Sequence, residues 1–150
     1  MLYVCYMSSA FSSPDFPVVY RPDLHVVVGR WMREIQRAQE VQQNYASLLE
    51  EAEQHQQCRF WLLDARRRFR TAVEITDWVE DYFPRMAEER LGGEIRIAYL
   101  LAPRQLLVST ESPPFPQLRH PVHGHLLSRQ FTDEGKAIAW LLREQRQPPA

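Results

Sequence analysis

The hydrophobic and polar positions of this 150-residue chain alternate between runs typical of strands and a spacing typical of helices. Two β-rich runs, residues 17–20 and 24–31, flank the tripeptide Arg21-Pro22-Asp23. Because proline and aspartate favour a tight turn, this segment predicts a β-hairpin. The second run contains the uninterrupted string VVV, which is typical of a strand that is covered on both faces.

The longest periodic segment, residues 33–55, contains neither glycine nor proline. Its apolar positions recur every three or four residues, at Ile35, Ala38, Val41, Tyr45, Leu48 and Ala52. This spacing predicts an amphipathic helix whose other face is made of Gln, Glu and Arg. The apolar stripe spans only about two to three heptads, which favours a helix lying on a sheet over a coiled coil.

The middle of the chain predicts a central strand followed by an interrupted helix. Residues 60–63 form an apolar run, and Thr71 with Glu74 matches a capping box, in which each side chain bonds a free N–H at the helix start. The apolar side of this helix carries Ile75, Trp78, Val79, Tyr82, Phe83 and Met86. Pro84 predicts a kink, or a break that restarts there, and Gly92 ends the helix.

The last third of the chain predicts two further strands and a closing helix. Residues 94–102 and 125–131 read as strands, and a helix capped by Thr132 or Asp133 follows the second one. Residues 103–124 are harder to interpret: LLVST fits a strand or a short helical turn, and the proline-containing string after it is irregular.

Strands that alternate with helices predict right-handed crossovers and an α/β fold. We expect a mixed, mostly parallel sheet of four to five strands with helices packed on it, since the hairpin adds an antiparallel strand. The length fits a single domain over residues 17–146. Residues 1–16 would form an N-terminal arm or an extra edge strand, and residues 147–150 a disordered tail.

Composition and charge narrow the functional classes. The formal net charge is -1, so no overall field attracts the chain to nucleic acid or to an anionic membrane. No apolar run approaches the roughly 20 residues of a membrane-spanning helix. The two cysteines, Cys5 and Cys58, lack CxxC partners and fit a reduced, cytoplasmic setting better than a secreted disulfide scaffold.

The arginine loop, residues 65–71, is the main candidate site. It follows Asp64 and contains Arg66, Arg67, Arg68, Arg70 and Thr71. A strand end leading into a helix N-terminus is where open α/β sheets bind ligands, and arginine suits phosphate or carboxylate. The loop therefore predicts an anion-binding or partner-binding site. The alternative is that its arginines are solvated or pair with Asp64, Glu74 or Asp77.

The strings VVYRPDLHVVVGRW, RFWLLDARRR, IRIAYLLAP and QFTDEGKAIAWLL, in this order around a long helix, resemble the STAS-like fold. That group includes the anti-sigma-factor antagonists and uncharacterised bacterial relatives, and the resemblance covers residues 17–145. It implies a regulatory module that binds a partner protein. In the antagonists an acid closes the third strand and an Asp-Ser-Ser-Gly-like string carries a phosphorylated serine. Asp64 matches the acid, but residues 69–72 read FRTA, so the resemblance implies no phospho-switch here.

Metal binding and catalysis find less support in the sequence. His120, His123 and His125 in RHPVHGH are secondary candidates as zinc or copper ligands, but no HExxH or paired CxxC accompanies them, and an irregular loop is the default. Cys58 begins an apolar run and has no evident activating base, so we expect a buried, unreactive thiol. No cofactor is predicted.

Relatives of the STAS-like fold include domains that bind lipids between the helices and the sheet, so the resemblance also implies an apolar ligand pocket there as a further candidate. Its lining would come from Tyr82, Phe83, Met86 and Trp140, which otherwise fill the core. The sequence as a whole predicts a non-enzymatic cytosolic interaction or regulatory module that binds a protein partner or itself. In a homodimer, residues 2–7 would add or cover an edge strand. The alternatives are a carrier of a lipid or a small acidic ligand and, least favoured, a small enzyme.

Overall fold

The structure of the chain, a computed structural model, describes residues 13–34, 37–68, 78–108 and 126–147. It contains one sheet whose strands follow the chain order: β1 (Val18–Arg21), β2 (Val26–Arg30), β3 (Phe60–Asp64), β4 (Ile95–Leu100) and β5 (Leu126–Phe131). β1 pairs antiparallel with β2, and β2 to β5 run parallel. The predicted mixed α/β sheet is therefore confirmed, and β3 is its central strand.

Helices cover both faces of the sheet. They are α1 (Ala38–Gln54), α2 (Phe83–Leu91), α3 (Pro103–Val108) and α4 (Glu134–Arg146). α1 and α2 pack on one face, and α4 packs on the other. Both faces of the central strands are thus covered, which explains the continuous apolar runs in β2 and β3. No helix in the four described ranges has both the length and the apolar character needed to cross a membrane.

The ends of the helices follow local sequence signals. A π-helical turn, Trp78–Tyr82, leads into α2, and Pro84 lies in the first turn of α2, where its missing N–H is not needed. The chain therefore changes from π to α geometry just before Pro84 and does not break there, since Tyr82 has helical φ and ψ of -65° and -50°. Gly92 ends α2 in the left-handed region, with φ of 79°. Asp133 caps α4 by accepting a hydrogen bond from the backbone N–H of Lys136 at 3.0 Å.

The first helix begins later than the periodicity predicts. α1 starts at Ala38, whereas the pattern places its start near residue 33. The reason is that the chain stays extended beyond β2: Trp31 N–H donates to Asp64 O at 3.0 Å, and Met32 N–H donates to Asp15 O at 2.9 Å. Arg37 is also extended, with φ of -135° and ψ of 144°, and is the N-cap of α1.

Several predictions fall on residues outside the described ranges. They include the capping box of Thr71 and Glu74, most of residues 1–16 and the irregular string after residue 108. Of the string LLVST, the part up to Val108 belongs to α3, so the helical-turn interpretation is the correct one there. Phe16, which the sequence assigns to the N-terminal arm, is 1% exposed and belongs to the core.

Phe16 explains the single glycine within β2. Its ring packs over Gly29, where an added Cβ would stand 2.5 Å from Phe16 Cζ and 3.0 Å from Leu48 Cδ2. Glycine in a strand is ordinarily unfavourable, because it lacks a side chain to pack. At Gly29 the lack of a side chain leaves room for the Phe16 ring, which covers the edge of the core beneath α1.

We predict that Gly29→Ala destabilises the fold by about 1–3 kcal/mol, because the new methyl group overpacks the contact with Phe16. Urea unfolding followed by tryptophan fluorescence measures the change. The double variant Gly29→Ala/Phe16→Leu should lose less than the sum of the two single substitutions. A Gly29→Ala protein as stable as the wild type would contradict this packing.

Candidate functional site at the carboxyl edge of the sheet

The four parallel strands end side by side. The register aligns their last residues in one row, which consists of Arg30, Asp64, Leu100 and Phe131. The ladder continues one step further, since Trp31 N–H donates to Asp64 O at 3.0 Å and Ala65 N–H donates to Leu100 O at 2.8 Å. We call this edge, with the residues that directly follow the row, the carboxyl rim. The arginine loop leaves the sheet from its centre.

A chain of alternating charges crosses the carboxyl rim. Asp64 accepts two hydrogen bonds from Arg66, from Nε at 3.0 Å and from Nη2 at 2.7 Å. Arg30 donates from Nη1 to Asp64 at 2.7 Å and from Nη2 to Glu134 at 2.8 Å. Two cations and two anions thus connect β2, β3 and the start of α4. The predicted pairing of a loop arginine with Asp64 is present at Arg66.

Asp64 is the buried member of this chain, with 7% of its surface exposed. Burial acts to raise the pKa of its carboxyl group, but the hydrogen bonds from Arg66 and Arg30 outweigh burial and lower the pKa. Asp64 Oδ1 also accepts the backbone N–H of Arg66 at 3.1 Å. The carboxylate is therefore ionised at neutral pH and fixes the start of the arginine loop.

A side chain of α3 also holds the backbone of the arginine loop. Gln105 donates from Nε2 to Ala65 O at 2.9 Å and to Arg68 O at 2.6 Å. Its Oε1 accepts the backbone N–H of Ala102. Arg68 N–H closes a turn onto Ala65 O at 3.1 Å. Residues 65–68 are thus bonded to β4, to α3 and to themselves.

The three described arginines of the loop have different environments. Arg66 folds back onto Asp64 and keeps 49% of its side chain exposed, and Arg67 is exposed. Arg68 turns inward and is 6% exposed, with its guanidinium carbon 4.6 Å from the centroid of the Trp31 ring. Arg68 is therefore not a surface cation, which corrects its assignment to the anion site. Arg70 and Thr71 lie outside the described residues.

A buried pair of phenols lies close to Arg68. Tyr45 and Tyr99 share a hydrogen bond of 2.5 Å between their hydroxyl groups. Burial raises the pKa of Tyr45 to about 12, and burial also raises the pKa of Tyr99. Burial lowers the pKa of Arg68, while the nearby phenols act in the opposite direction. Cation–π contact with Trp31 stabilises the guanidinium in this position.

The predicted apolar pocket is not formed. Phe83 and Met86 belong to the core beneath α1 and α2, whereas Trp140 belongs to the core beneath α4. The sheet lies between the two cores, so these side chains do not share a cavity. Tyr82 is 56% exposed. The apolar positions of Phe83, Met86 and Trp140 reflect packing on two separate faces of the sheet.

The remaining sequence candidates have the following positions. His120, His123 and His125 lie outside the described residues. Within the described ranges, no three His, Cys, Asp or Glu side chains converge to hold a metal ion. Cys58 is buried, donates its S–H to His25 O at 3.2 Å, and has a pKa raised to about 11 by burial. This agrees with an unreactive thiol.

The structure also contains a titratable cluster that the sequence did not reveal, at the opposite edge of the sheet. Tyr20 Oη and His25 Nδ1 are 2.8 Å apart, and the ring of Tyr20 stacks on His55 with 4.1 Å between centroids. His55 Nε2 lies 3.0 Å from Glu51 Oε1. The hairpin and the end of α1 were both predicted, but their lateral contact is a tertiary feature without a local signal.

A cleft at the start of α1 was likewise not predicted. Its volume is about 320 Å³, and its lining includes Asp15, Arg33, Glu34, Arg37, Glu40 and Asn44. Phe16 and Trp31 also line this cleft, which we call the α1 cleft. Since Trp31 directly follows β2, the α1 cleft adjoins the carboxyl rim on the side of the sheet that α1 covers.

Comparisons of the chain with protein-family models, with curated proteins and with solved structures give no match. The resemblance to the STAS-like fold therefore stays a prediction.

We predict that Asp64→Asn lowers the free energy of unfolding by about 1–3 kcal/mol at pH 7, since Arg30 and Arg66 lose their charged acceptor. The native pKa of Asp64 is depressed, so its ionised form stabilises the fold above the unfolded-state pKa, and this contribution disappears as pH falls through the native pKa. Urea unfolding should therefore show a smaller difference in the free energy of unfolding between wild type and variant at pH 3 than at pH 7.

The matched control is Asp23→Asn. Asp23 also pairs with an arginine, Arg21, but both side chains are more than 45% exposed, so its loss should change stability little. Equal effects of Asp23→Asn and Asp64→Asn, or a difference that persists unchanged at pH 3, would contradict the role given to Asp64.

Proposed function

We propose that this protein is a non-enzymatic interaction module that binds an acidic segment of a partner protein through the exposed part of the arginine loop. The observation that carries the proposal is the fixed backbone of residues 65–68, on which Arg67 is exposed and Arg66 is half-exposed beside Asp64. A loop that is already ordered loses little conformational entropy on binding, so its contacts contribute more fully to affinity.

The chemistry of the exposed arginines fits a carboxylate-bearing partner. Arg67 is exposed and forms no hydrogen bond or ion pair with the part of the chain that the structure describes. Its planar guanidinium is therefore available for bidentate hydrogen bonding to a carboxylate. Arg66 directs Nε and Nη2 to Asp64, which leaves Nη1 for a partner.

An exposed apolar side chain lies shortly beyond the end of β2. Met32, directly after Trp31, is 41% exposed and is one of three large apolar side chains exposed among the described residues. Methionine adapts its shape to different partner surfaces. We propose that an apolar residue of the partner contacts Met32.

The resemblance to anti-sigma-factor antagonists supports the same class of function, because that family acts by binding a partner protein. Cys58, the one cysteine in the described ranges, is free and buried, which supports a cytosolic setting for this activity. A second copy of the chain is the alternative partner, since the paired charges of Arg30, Asp64, Arg66 and Glu134 would also suit a polar homodimer contact.

The test is the single variant Arg67→Glu, with Arg143→Glu on α4 as a control of equal charge change. The host proteins captured by the wild type are identified by mass spectrometry, and the affinity of the main partner is then titrated. Arg67→Glu should weaken binding at least tenfold, about 1.4 kcal/mol, and Arg143→Glu should not. Light scattering after size exclusion distinguishes a heterologous partner from a second copy.

Arg68 is unsuitable for this test, because a glutamate at its buried position would destabilise the core. Binding would then be lost through unfolding and not through loss of a contact with the partner. Arg67→Glu avoids this problem, since its side chain contacts solvent. Partner binding that is unchanged in Arg67→Glu, or reduced equally in Arg143→Glu, would overturn the proposal.

A further inference from the structure

We propose that the α1 cleft binds a small monocarboxylate at the N-terminus of α1, in a site separate from the partner surface of the arginine loop. The cleft lies between the segment around Phe16, the chain that leaves β2, and the first turns of α1. Its volume of about 320 Å³ is near the lower end of the range for ligand pockets, roughly 300–1,000 Å³. The cleft therefore has room for a compact molecule and not for a lipid chain.

The N-terminus of α1 has no side-chain cap. Its N-cap residue is Arg37, which is extended and makes no capping hydrogen bond. The residues that usually cap a helix provide an oxygen that accepts an N–H of the first turn, whereas a guanidinium group contains only donors. The positive end of this 17-residue helix thus receives no acceptor from its N-cap, and such a helix end favours an anion.

Asn44 supplies a buried donor to the same cleft. It is 7% exposed, and its Oδ1 accepts a hydrogen bond from Trp31 Nε1 at 2.7 Å. The indole N–H of tryptophan is only a donor, so it determines which way the amide is oriented. The NH₂ of Asn44 makes no hydrogen bond within the described part of the chain. A buried donor without an acceptor is costly, which points to a ligand oxygen as the partner of this NH₂.

The carboxylates that line the cleft already interact with guanidinium groups. Arg33 bonds Asp15 at 3.1 Å and lies 3.5 Å from Glu40. Glu34 acts electrostatically on the buried guanidinium of Arg68 and thereby favours its charged form. These carboxylates are therefore part of the protein's own charge balance, and none of them is left to bind a ligand cation.

Arg37 is the cation of the lining that remains available. It is exposed and forms no hydrogen bond or ion pair with the described part of the chain. A planar carboxylate accepts two parallel hydrogen bonds from a guanidinium. Arg37, the first-turn N–H groups of α1 and the NH₂ of Asn44 are all donors, so together they favour a carboxylate. A second negative group on the ligand would be repelled by Asp15, Glu34 and Glu40, which limits the ligand to one.

The indole N–H of Trp31 and the NH₂ of Asn44 provide direct reporters for the test. Proton–nitrogen correlation spectra of the labelled full chain are recorded with sodium acetate, lactate or benzoate at up to about 10 mM, to detect affinities in the millimolar range. Sodium chloride keeps the ionic strength constant. At least one of these salts should shift both signals in a saturable manner. The indole signal of Trp140, on the other face of the sheet, should not move.

The matched neutral compounds are acetamide, lactamide and benzamide. Each has nearly the shape of its carboxylate but lacks the charge and one of the two acceptor oxygens. The amide of the active compound should therefore bind about tenfold more weakly or less than that.

The variant Arg37→Asp separates loss of the site from loss of the fold. Aspartate is a favourable N-cap residue, so this variant should unfold at a higher urea concentration than the wild type. It should nevertheless bind the active carboxylate about tenfold more weakly or less than that, because the cation is gone and the new side chain occupies the helix end. Arg143→Asp makes the same charge change on the exposed side of α4 and should leave binding unchanged.

Arg67→Glu should also leave carboxylate binding unchanged, which separates a failure of this inference from a failure of the partner proposal. Any of three results would overturn the inference. One is that none of the three salts moves the Trp31 and Asn44 signals, and another is that the amides bind as tightly as the carboxylates. The third is that Arg37→Asp binds like the wild type, or that Arg143→Asp weakens binding equally.

Discussion

The organisation of the carboxyl rim depends on Asp64, through both its side chain and its main chain. Its carboxylate joins Arg30 to Arg66 and thereby ties the arginine loop to β2. Its carbonyl oxygen accepts the N–H of Trp31 and extends the sheet ladder by one residue. Trp31 is then placed to contact the guanidinium of Arg68 on one side and the amide of Asn44 on another. Both proposed sites therefore rest on the exit of the central strand.

The arginine loop shows that a run of like residues need not share one role. Asp64 faces the α4 side of the sheet and Ala65 faces the α1 side, as the alternation of a strand requires. After the turn, Arg66 returns to Asp64, Arg67 faces solvent and Arg68 enters the core beside Trp31. A chain in which nearly every basic residue is arginine thus uses the same side chain as a structural ion pair, as a buried cation and as a surface donor.

Local signals predicted much of the fold. The turn at Arg21-Pro22-Asp23 and the apolar run of β3 were placed correctly, and the cap of α4 was narrowed to Thr132 or Asp133, of which Asp133 is the cap. Each of these features depends on residues close together in sequence. The same holds for the end of α2 at Gly92. Turns and helix caps are determined by nearby residues, so they can be predicted from the sequence without knowledge of the tertiary structure.

The features that escaped prediction depend on lateral neighbours. The burial of Arg68 requires Trp31, which is 37 positions earlier, and the orientation of Asn44 requires the same indole. The supposed pocket of Phe83, Met86 and Trp140 failed because helical periodicity shows that a residue is buried but not on which face of the sheet. Strand order and register decide such contacts, and neither has a local signature.

The most direct test of this account is backbone hydrogen exchange of the described part of the arginine loop, resolved to single amides. The amides of Trp31, Ala65 and Arg68 are hydrogen-bonded and should be protected, with Ala65 exchanging as slowly as the neighbouring amides of β3. Arg67 N–H has no hydrogen bond to the described part of the chain and should exchange quickly. If Ala65 and Arg68 exchange as fast as Arg67, the loop is not held by the carboxyl rim, and the central claim of a preformed surface is contradicted.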